Sequence, residues 1–568
     1  MLAFYRMVIF RKLREFLYAR QVDVLSAAMI LAGASLASRV LGLIRDRVLA
    51  HYFTGEQISI YFAAFRFPDA LFEILVLGAL SAAFIPTFIS YISKKKEEEA
   101  WRVASIVMNI SFVFFVSLAV LVFVFALPFS RLIAPGFSPS EIELMVRLTR
   151  ILLFTQGFFV LSFFLTGALK SYQRFLIPAI APILYNLGII GGTIAFVPTL
   201  GIFSPAWGAV IGAFMHFTAQ LPLAFRLGFR PVFSLDYRHP GVRKIIRLAA
   251  PRVLELGFLQ LLKVSELFFA SIVSTASYAY LTFAQHLEML PVALFGLSLA
   301  DAVLPALSYK RASGKFDGVF LSVFRQIIFF TVPVAVAFIV LRIPLVRLAF
   351  GASKFTWQST VLTGYTLSMF ALGIVGQALT LLFVRTFYAL QNTLIPVAVG
   401  IADVFLNIGL VAYFILVLEL PVWGIALAFA ISALAQAFVL WLLLIKKAHF
   451  SAVDFVRPAL KVFAASLASG GVMYFMLKIL DRSAWDKNLS FLGKLALPER
   501  FELFILDTRY TANLVFLTVL VGAAGILVYL GICRLLRVEE IKIIGQIWKR
   551  VLSFPKVKVP ARTVEDER

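Results

Sequence analysis

Apolar residues fill long runs of the chain between Val24 and Leu530, and polar residues collect in the short gaps between them. Each run is about 20 residues long, the length a helix needs to cross a hydrocarbon core of about 30 Å. About fourteen such runs can be counted, which predicts an all-α polytopic membrane protein. Composition agrees with the pattern. Of the 568 residues, 61% are hydrophobic and 15% charged, too few polar groups to cover the surface of a soluble domain of this length.

The gaps carry the charge. The formal net charge of +23 would suit a nucleic-acid partner. Its placement in short loops between apolar spans is instead what the positive-inside rule expects, so no nucleic-acid partner is read from it. With the N-terminus inside, the basic gaps all fall on the cytoplasmic side. They contain Lys94, Lys95, Lys96 and Arg102; Arg226, Arg230, Arg238, Arg243, Lys244 and Arg247; Lys310, Arg311 and Lys315; and Lys446, Lys447 and Arg457. The opposite turns, Pro198 to Pro205, Ser274 to Ser277 and Glu419 to Pro421, hold no Lys or Arg. An even number of spans with both termini cytoplasmic fits this map. Residues 1–23 mix Arg6, Arg11, Lys12, Arg14 and Arg20 with Phe4, Ile9, Phe16 and Leu17 and show no cleavage site. They read as a basic amphipathic segment on the cytoplasmic membrane surface. The single cysteine, Cys533, excludes an intramolecular disulfide framework.

The chain repeats itself at an offset of about 213 to 221 residues. Arg39-Val40-Leu41 recurs as Arg252-Val253-Leu254, and Leu80 to Pro86 resembles Leu299 to Pro305. Leu176-Ile177-Pro178 and Asn186-Leu187-Gly188 return as Leu394-Ile395-Pro396 and Asn407-Ile408-Gly409. Trp207-Gly208 and Ala219-Gln220 return as Trp423-Gly424 and Ala435-Gln436. Six spans per period is an even number, which predicts two parallel six-helix repeats about an axis along the membrane normal, the architecture of transporters that rock one half against the other. The expected layout is a first lobe at 24–230, a basic cytoplasmic linker at 231–250 and a second lobe at 251–447. Two additional C-terminal helices with an extracytoplasmic loop at 481–509 occupy 448–535, and a basic cytoplasmic tail fills 536–568.

Enzyme motifs are missing: the sequence holds no Walker loop, paired-cysteine metal spacing, His-Glu-x-x-His or nucleophile elbow. A specific run does occur at Ala37-Ser38-Arg39-Val40-Leu41-Gly42-Leu43-Ile44-Arg45-Asp46. It is followed in order by Ala64-Phe65-Arg66-Phe67-Pro68, Gly78 to Pro86, Ala134-Pro135-Gly136-Phe137, Arg174 to Ala179 with Ala181-Pro182, and Phe387-Tyr388-Ala389-Leu390-Gln391. Across Ser26 to Lys447 the chain thereby resembles the MurJ/MviN family of lipid II flippases, within the multidrug/oligosaccharidyl-lipid/polysaccharide exporter superfamily. The resemblance implies fourteen spans, a central cationic cavity and two extra spans that shape a groove for a lipid tail. It implies transfer of an undecaprenyl-diphosphate-linked peptidoglycan precursor (lipid II) to the outer leaflet of the bacterial cytoplasmic membrane. An inside-negative potential favours such outward movement of an anion by about 2.3 kcal/mol per charge per 100 mV.

Charge near the bilayer centre costs about 2.5–3.5 kcal/mol per residue on insertion scales, so each such residue needs a reason. Arg39 and Arg45 are six apart on one predicted helix, about 120° off a common face, and need not point to the same place. Arg45 beside Asp46 reads either as a structural ion pair or as an arginine fork for diphosphate. The resemblance carries over Arg39, Arg45 and Asp46 as substrate-binding positions, with Arg66 beside them. Two departures thin the expected cationic cavity: Phe72 stands where the family usually has Arg, and His286 replaces Arg in the eighth span. His286 can act as a conditional cation, and Lys263 on the seventh span is expected to restore charge. A second set, Glu266 with Asp403 and Asn407 four apart on one helical face, offers oxygen ligands for a hard cation. Some family members bind sodium at matching places. No cofactor is required, and Na⁺ is the one metal ion expected; the competing reading pairs Glu266 with Lys263 locally. Lipid II or a related polyprenyl-diphosphate saccharide, membrane lipids and cell-wall synthesis proteins are the expected partners. The alternatives are export of another polyprenyl-linked saccharide or small molecule, and a non-transporting cell-wall scaffold.

Overall fold

The computed structural model describes residues 24–77, 83–311, 316–448, 451, 453–481 and 506–545. The expectations for 1–23, for the body of the 481–509 loop and for the tail past 545 lie outside the described residues.

The described residues are helical throughout, apart from turns and one isolated bridge between Asp481 and Leu506. In chain order the helices are α1 Val24–Tyr52, α2 Gly55–Ala64, α3 Arg66–Phe72 running into a π-helical turn Glu73–Leu77, α4 Ile85–Ile92 and α5 Glu97–Val124. There follow α6 Ala126–Ile133, α7 Pro139–Ser171, α8 Leu176–Leu200, α9 Ser204–Thr218, α10 Leu221–Arg226 and α11 Pro240–Val273. Next come α12 Ser277–Pro291, with a π turn Val292–Leu297, α13 Ser298–Arg311, α14 Phe316–Val340, α15 Arg342–Phe350 and α16 Trp357–Ala389. The chain finishes with α17 Leu394–Ala412, extended by a π turn Tyr413–Val417, then α18 Trp423–Ala448, α19 Val453–Leu480 and α20 Thr511–Leu535. The basic linker expected at 231–250 is part loop and part helix, because α11 already starts at Pro240.

Eleven helices among the described residues are long and apolar enough to cross a membrane, by length and composition, where the sequence suggested about fourteen. The difference has two visible sources. One of the eleven, Leu176–Arg226, folds back at Gly201 into α8 and α9. The other is the run from α2 to α4, which is broken into helices shorter than a span.

By contacts the chain groups into two compact units. The first contains Met1–Leu290, Arg342–Gly376 and Thr393–Val439. Its frame is the hairpin of α8 and α9, joined by a short turn in which Gly201 takes φ +51°, a left-handed conformation that suits glycine. The two helices run antiparallel and meet backbone to backbone: a Cβ on Gly188 would fall on the Cα of Gly212, and one on Gly192 on that of Gly208. Small residues that allow this approach are how helices associate in lipid, where apolar burial gives little drive. The outer faces of the hairpin take α1 and α7. Helices α2 and α7 start cleanly through capping boxes, Thr54 with Gln57 and Ser138 with Glu141. An aromatic core of Phe72, Phe84, Phe88, Trp101 and Phe164 fills the space among α3, α4, α5 and α7.

The second unit contains Pro291–Leu341, Gln377–Asn392 and Leu440–Arg568. The two additional helices α19 and α20 pack on each other and α19 packs on α14. Ser469 Oγ donates to Gly525 O at 2.7 Å, and Tyr529 OH donates to Phe329 O at 2.7 Å. Helix-to-helix hydrogen bonds of this kind satisfy side-chain donors that lipid cannot.

Candidate functional site

A cavity of about 400 Å³ opens within the first unit. Its wall is built by α1 (Arg45), α2 (Tyr61, Phe62), α3 and its π turn (Arg66, Asp69, Phe72, Glu73), α7 (Gln156, Phe159, Phe163), α8 (Pro182, Tyr185, Ile189), α9 (His216) and α12 (Tyr278, Thr282, His286). Aromatic rings make up most of it, so the few charged groups sit in surroundings that hold little water and bind counter-charges strongly. Three clusters supply those groups.

The first cluster centres on Asp46, which is fully buried. Its Oδ1 accepts from Arg45 Nη2 at 2.8 Å and Nε at 3.0 Å, and its Oδ2 lies 2.6 Å from His286 Nδ1. A carboxylate only accepts, so His286 Nδ1 carries the proton of that bond. The third donor of the arginine fork, Nη1, reaches Asn186 Oδ1 at 3.2 Å. The Asn186 amide is held in turn by Ser38 Oγ and Pro182 O. A lone buried carboxylate would cost several kcal/mol. Here donors from α1 and α12 meet both of its oxygens.

The second cluster is Arg66, Asp69 and Gln156. Gln156 Nε2 donates to Asp69 Oδ1 at 2.6 Å, while Arg66 Nη2 stands 3.8 Å from Asp69 Oδ2, an ion pair too long for a hydrogen bond. The third is Glu73, which accepts from Lys263 Nζ at 2.6 and 2.8 Å and from Gln260 Nε2 at 2.6 Å. Gln260 and Lys263 are three apart on α11 and so share a face.

These contacts place the expected residues unequally. Arg45, Arg66 and His286 line the cavity. Asp46 lies behind the wall and positions two of them. Arg39 is half-buried on α1 and takes no part in the wall. Lys263 does not add a cation to the cavity, because it neutralises Glu73, and the local Lys263–Glu266 pair is not formed. Counting Asp46 and Lys263 just behind its wall, the site is therefore charge-matched rather than cationic: Arg45, Arg66 and Lys263 lie beside Asp46, Asp69 and Glu73 in turn. Phe72, where the family usually has Arg, lies in the wall, tilted against Phe159 and edge-on to Phe163.

Asp69, Gln156 and Asn186 were not foreseen as site residues. Asn186 had a signal, its recurrence in the repeat; Asp69 and Gln156 had none beyond being polar within apolar runs. Also unforeseen is a buried chain in which His216 Nδ1 and Ser162 Oγ lie 2.5 Å apart, Gln220 donates to Ser162, and Thr166 donates to Gln220. Its members satisfy one another, which ties α9 to α7.

In the second set, Glu266 Oε1 accepts from Gln285 Nε2 at 3.2 Å and Asn407 Nδ2 donates to Ser432 Oγ at 3.1 Å. Asp403 Oδ1 is buried without a hydrogen-bond partner. Helices α11 and α17, which carry these residues, pack together. Among the described residues no hydrogen bond joins Glu266 to Asp403 or Asn407, and no three His, Cys, Asp or Glu side chains gather to hold a metal.

Comparison with known proteins bears on what such a cavity carries. A family model described as "Lipid II flippase MurJ" matches residues 11–495. A probable lipid II flippase MurJ of Bdellovibrio bacteriovorus is 27% identical over 453 residues, covering 78% of this chain and 86% of that one. The lipid II flippase MurJ of Burkholderia cenocepacia is 26% identical over 470 residues, covering 80% and 90%. Among solved structures, a lipid II flippase MurJ in an inward closed conformation superposes with a TM-score of 0.71 at 25% identity, over 92% of this chain and 99% of that one. An inward-facing multidrug transporter of the MATE family, at 14% identity and a TM-score of 0.60 over 76% and 96%, shares the fold.

Proposed function

The chain belongs to the lipid II flippase MurJ family, and from that premise we propose that it carries lipid II from the inner to the outer leaflet of the bacterial cytoplasmic membrane by alternating access. It is a multi-pass membrane transporter and not an enzyme. Both termini lie in the cytoplasm on this reading, in keeping with the basic gaps.

The observation that carries the proposal is the cavity whose wall holds both Arg45 and Arg66 among Phe and Tyr rings. A diphosphate in water is strongly solvated, and its passage through lipid is opposed by that solvation. Guanidinium groups offer planar pairs of donors that match phosphate oxygens and replace the lost water. The carboxylates beside them serve a second purpose. They keep the cations paired while the cavity holds no head group, and they compete with the diphosphate so that binding stays reversible. The prenyl tail remains in the bilayer throughout.

Sodium coupling is proposed on a narrower base. The unpartnered buried oxygen of Asp403 suits a cation that seeks oxygen ligands. A sodium-dependent rise in Tm of the purified chain, absent after Asp403→Ala, is the expected result; no rise in the wild type removes the ion from the mechanism. The function itself is tested by complementing a flippase-depleted bacterium. The wild type is expected to restore growth and Arg45→Ala to fail at equal expression. Full rescue by Arg45→Ala and Arg66→Ala alike would refute an arginine-held diphosphate.

A further inference from the structure

Two buried polar atoms in the cavity wall have no hydrogen-bond partner, and they are of opposite kinds. Arg66 Nε is a donor and Gln156 Oε1 is an acceptor. Both residues line the cavity, and neither atom reaches solvent. Leaving such atoms unmade is costly, far more so than an exposed one. Arg45 differs, since each of its three nitrogens already donates one bond to Asp46 or Asn186, leaving two of its five N–H groups.

The two orphans share a neighbour. Asp69 accepts from Gln156 Nε2 through Oδ1 and faces Arg66 Nη2 with Oδ2. That bond also settles the orientation of the amide: a carboxylate cannot donate, so the NH₂ of Gln156 must face Asp69 and its oxygen must turn away. Asp69 thus turns the Gln156 oxygen away from itself, in the same cavity wall that holds Arg66. A ligand that satisfies both presents an anionic oxygen and an O–H or N–H a few bonds away. In a polyprenyl-diphosphate saccharide that combination occurs at the junction of the second phosphate and the first sugar.

We propose that Arg66 and Gln156 grip this sugar–phosphate junction, Arg66 donating to a phosphate oxygen and Gln156 Oε1 accepting from a hydroxyl or amide N–H of the sugar. Arg45, ordered by Asp46 and Asn186, completes the charge around the diphosphate. The inference rests on the flippase reading and refines it, because it makes the carrier sense the sugar as well as the phosphates.

The test compares binding of lipid II and of undecaprenyl diphosphate, which lacks the sugar, to the full-length chain in lipid nanodiscs. Arg66→Lys keeps the charge and removes the fork; it is expected to weaken both ligands by about tenfold or more, as for a charge-assisted bond. Gln156→Met keeps the volume and removes the acceptor. It is expected to lower the ratio of lipid II to undecaprenyl diphosphate affinity about five- to tenfold. A purely structural role for Gln156 would weaken both ligands together and leave the ratio unchanged, which would overturn the sugar contact. Retained undecaprenyl diphosphate binding by Gln156→Met shows that the variant is folded. Unaltered binding of both ligands by Arg66→Lys, with a wild-type melting curve, would overturn the phosphate contact. A wild type that binds neither ligand would instead bring down the flippase reading itself.

Discussion

The backbone contact between α8 and α9 allows a prediction worked from distances. A Cβ built on Gly212 would lie 2.5 Å from the carbonyl oxygen of Tyr185 and 3.1 Å from its Cα. Ordinary contact begins near 3.4 Å, so Gly212→Ala forces the helices apart by about 0.9 Å at that point, and backbone atoms cannot rotate out of the way. Overpacking of this kind costs about 1–3 kcal/mol. It is partly masked by the gain of about 1 kcal/mol when alanine replaces glycine in a helix. Gly191 supplies the control: it lies in α8, and a Cβ there meets nothing within 4 Å. The two variants gain the same propensity and differ in packing alone. Melting of the purified chain, followed by fluorescence, should place Gly212→Ala about 1–2.5 °C below Gly191→Ala. The consequence for transport is direct, because Tyr185 lines the cavity and Asn186, its neighbour, holds Arg45 at 3.2 Å. A shift near 0.9 Å breaks that bond, so rescue by Gly212→Ala should be impaired as well. Equal melting temperatures and equal rescue for the two variants would refute the argument that this crossing needs glycine.

Other outcomes follow from the ion clusters. Asp46 does not line the cavity, yet Asp46→Asn is expected to abolish rescue as fully as Arg45→Ala, since it removes the charge that orders Arg45 and His286; normal growth would sink the positioning role. His286→Arg should retain rescue, because Asp46 Oδ2 accepts a guanidinium as well as an imidazole; loss of rescue by a folded variant speaks against the conditional-cation reading. Lys263→Met leaves Glu73 partly uncompensated and should lower stability by about 1–3 kcal/mol. Adding Glu73→Leu should restore at least half of that loss in a melting assay, and a double variant no better than the single one would show that the pair contributes nothing.

The helices were readable because a bilayer-spanning helix advertises itself by the length of its apolar run, with no knowledge of its neighbours. The relation between Arg39 and Arg45 was readable for the same reason: 120° of helical rotation separates them, and only Arg45 enters the cavity wall. Pairings between helices were not readable. Lys263 and Glu266 are one turn apart, which suggested a local pair, but Glu73, 190 positions away in the chain, captures the ammonium instead. Asp46 and His286 are 240 apart, and nothing in either segment points to the other. Charge matching in the cavity is a tertiary property of this kind, whereas a sum over residues finds only a basic chain.

That matching has an electrical consequence. A carrier that swings unpaired charges through the membrane field draws or yields about 2.3 kcal/mol per charge per 100 mV for its own motion. Around the cavity each of three acids travels beside a base, Asp46 with Arg45, Glu73 with Lys263 and Asp69 near Arg66. Dipoles so short displace almost no current when they reorient. The field then performs its work on the cargo, and the charge counted in an electrogenic measurement is that of the head group.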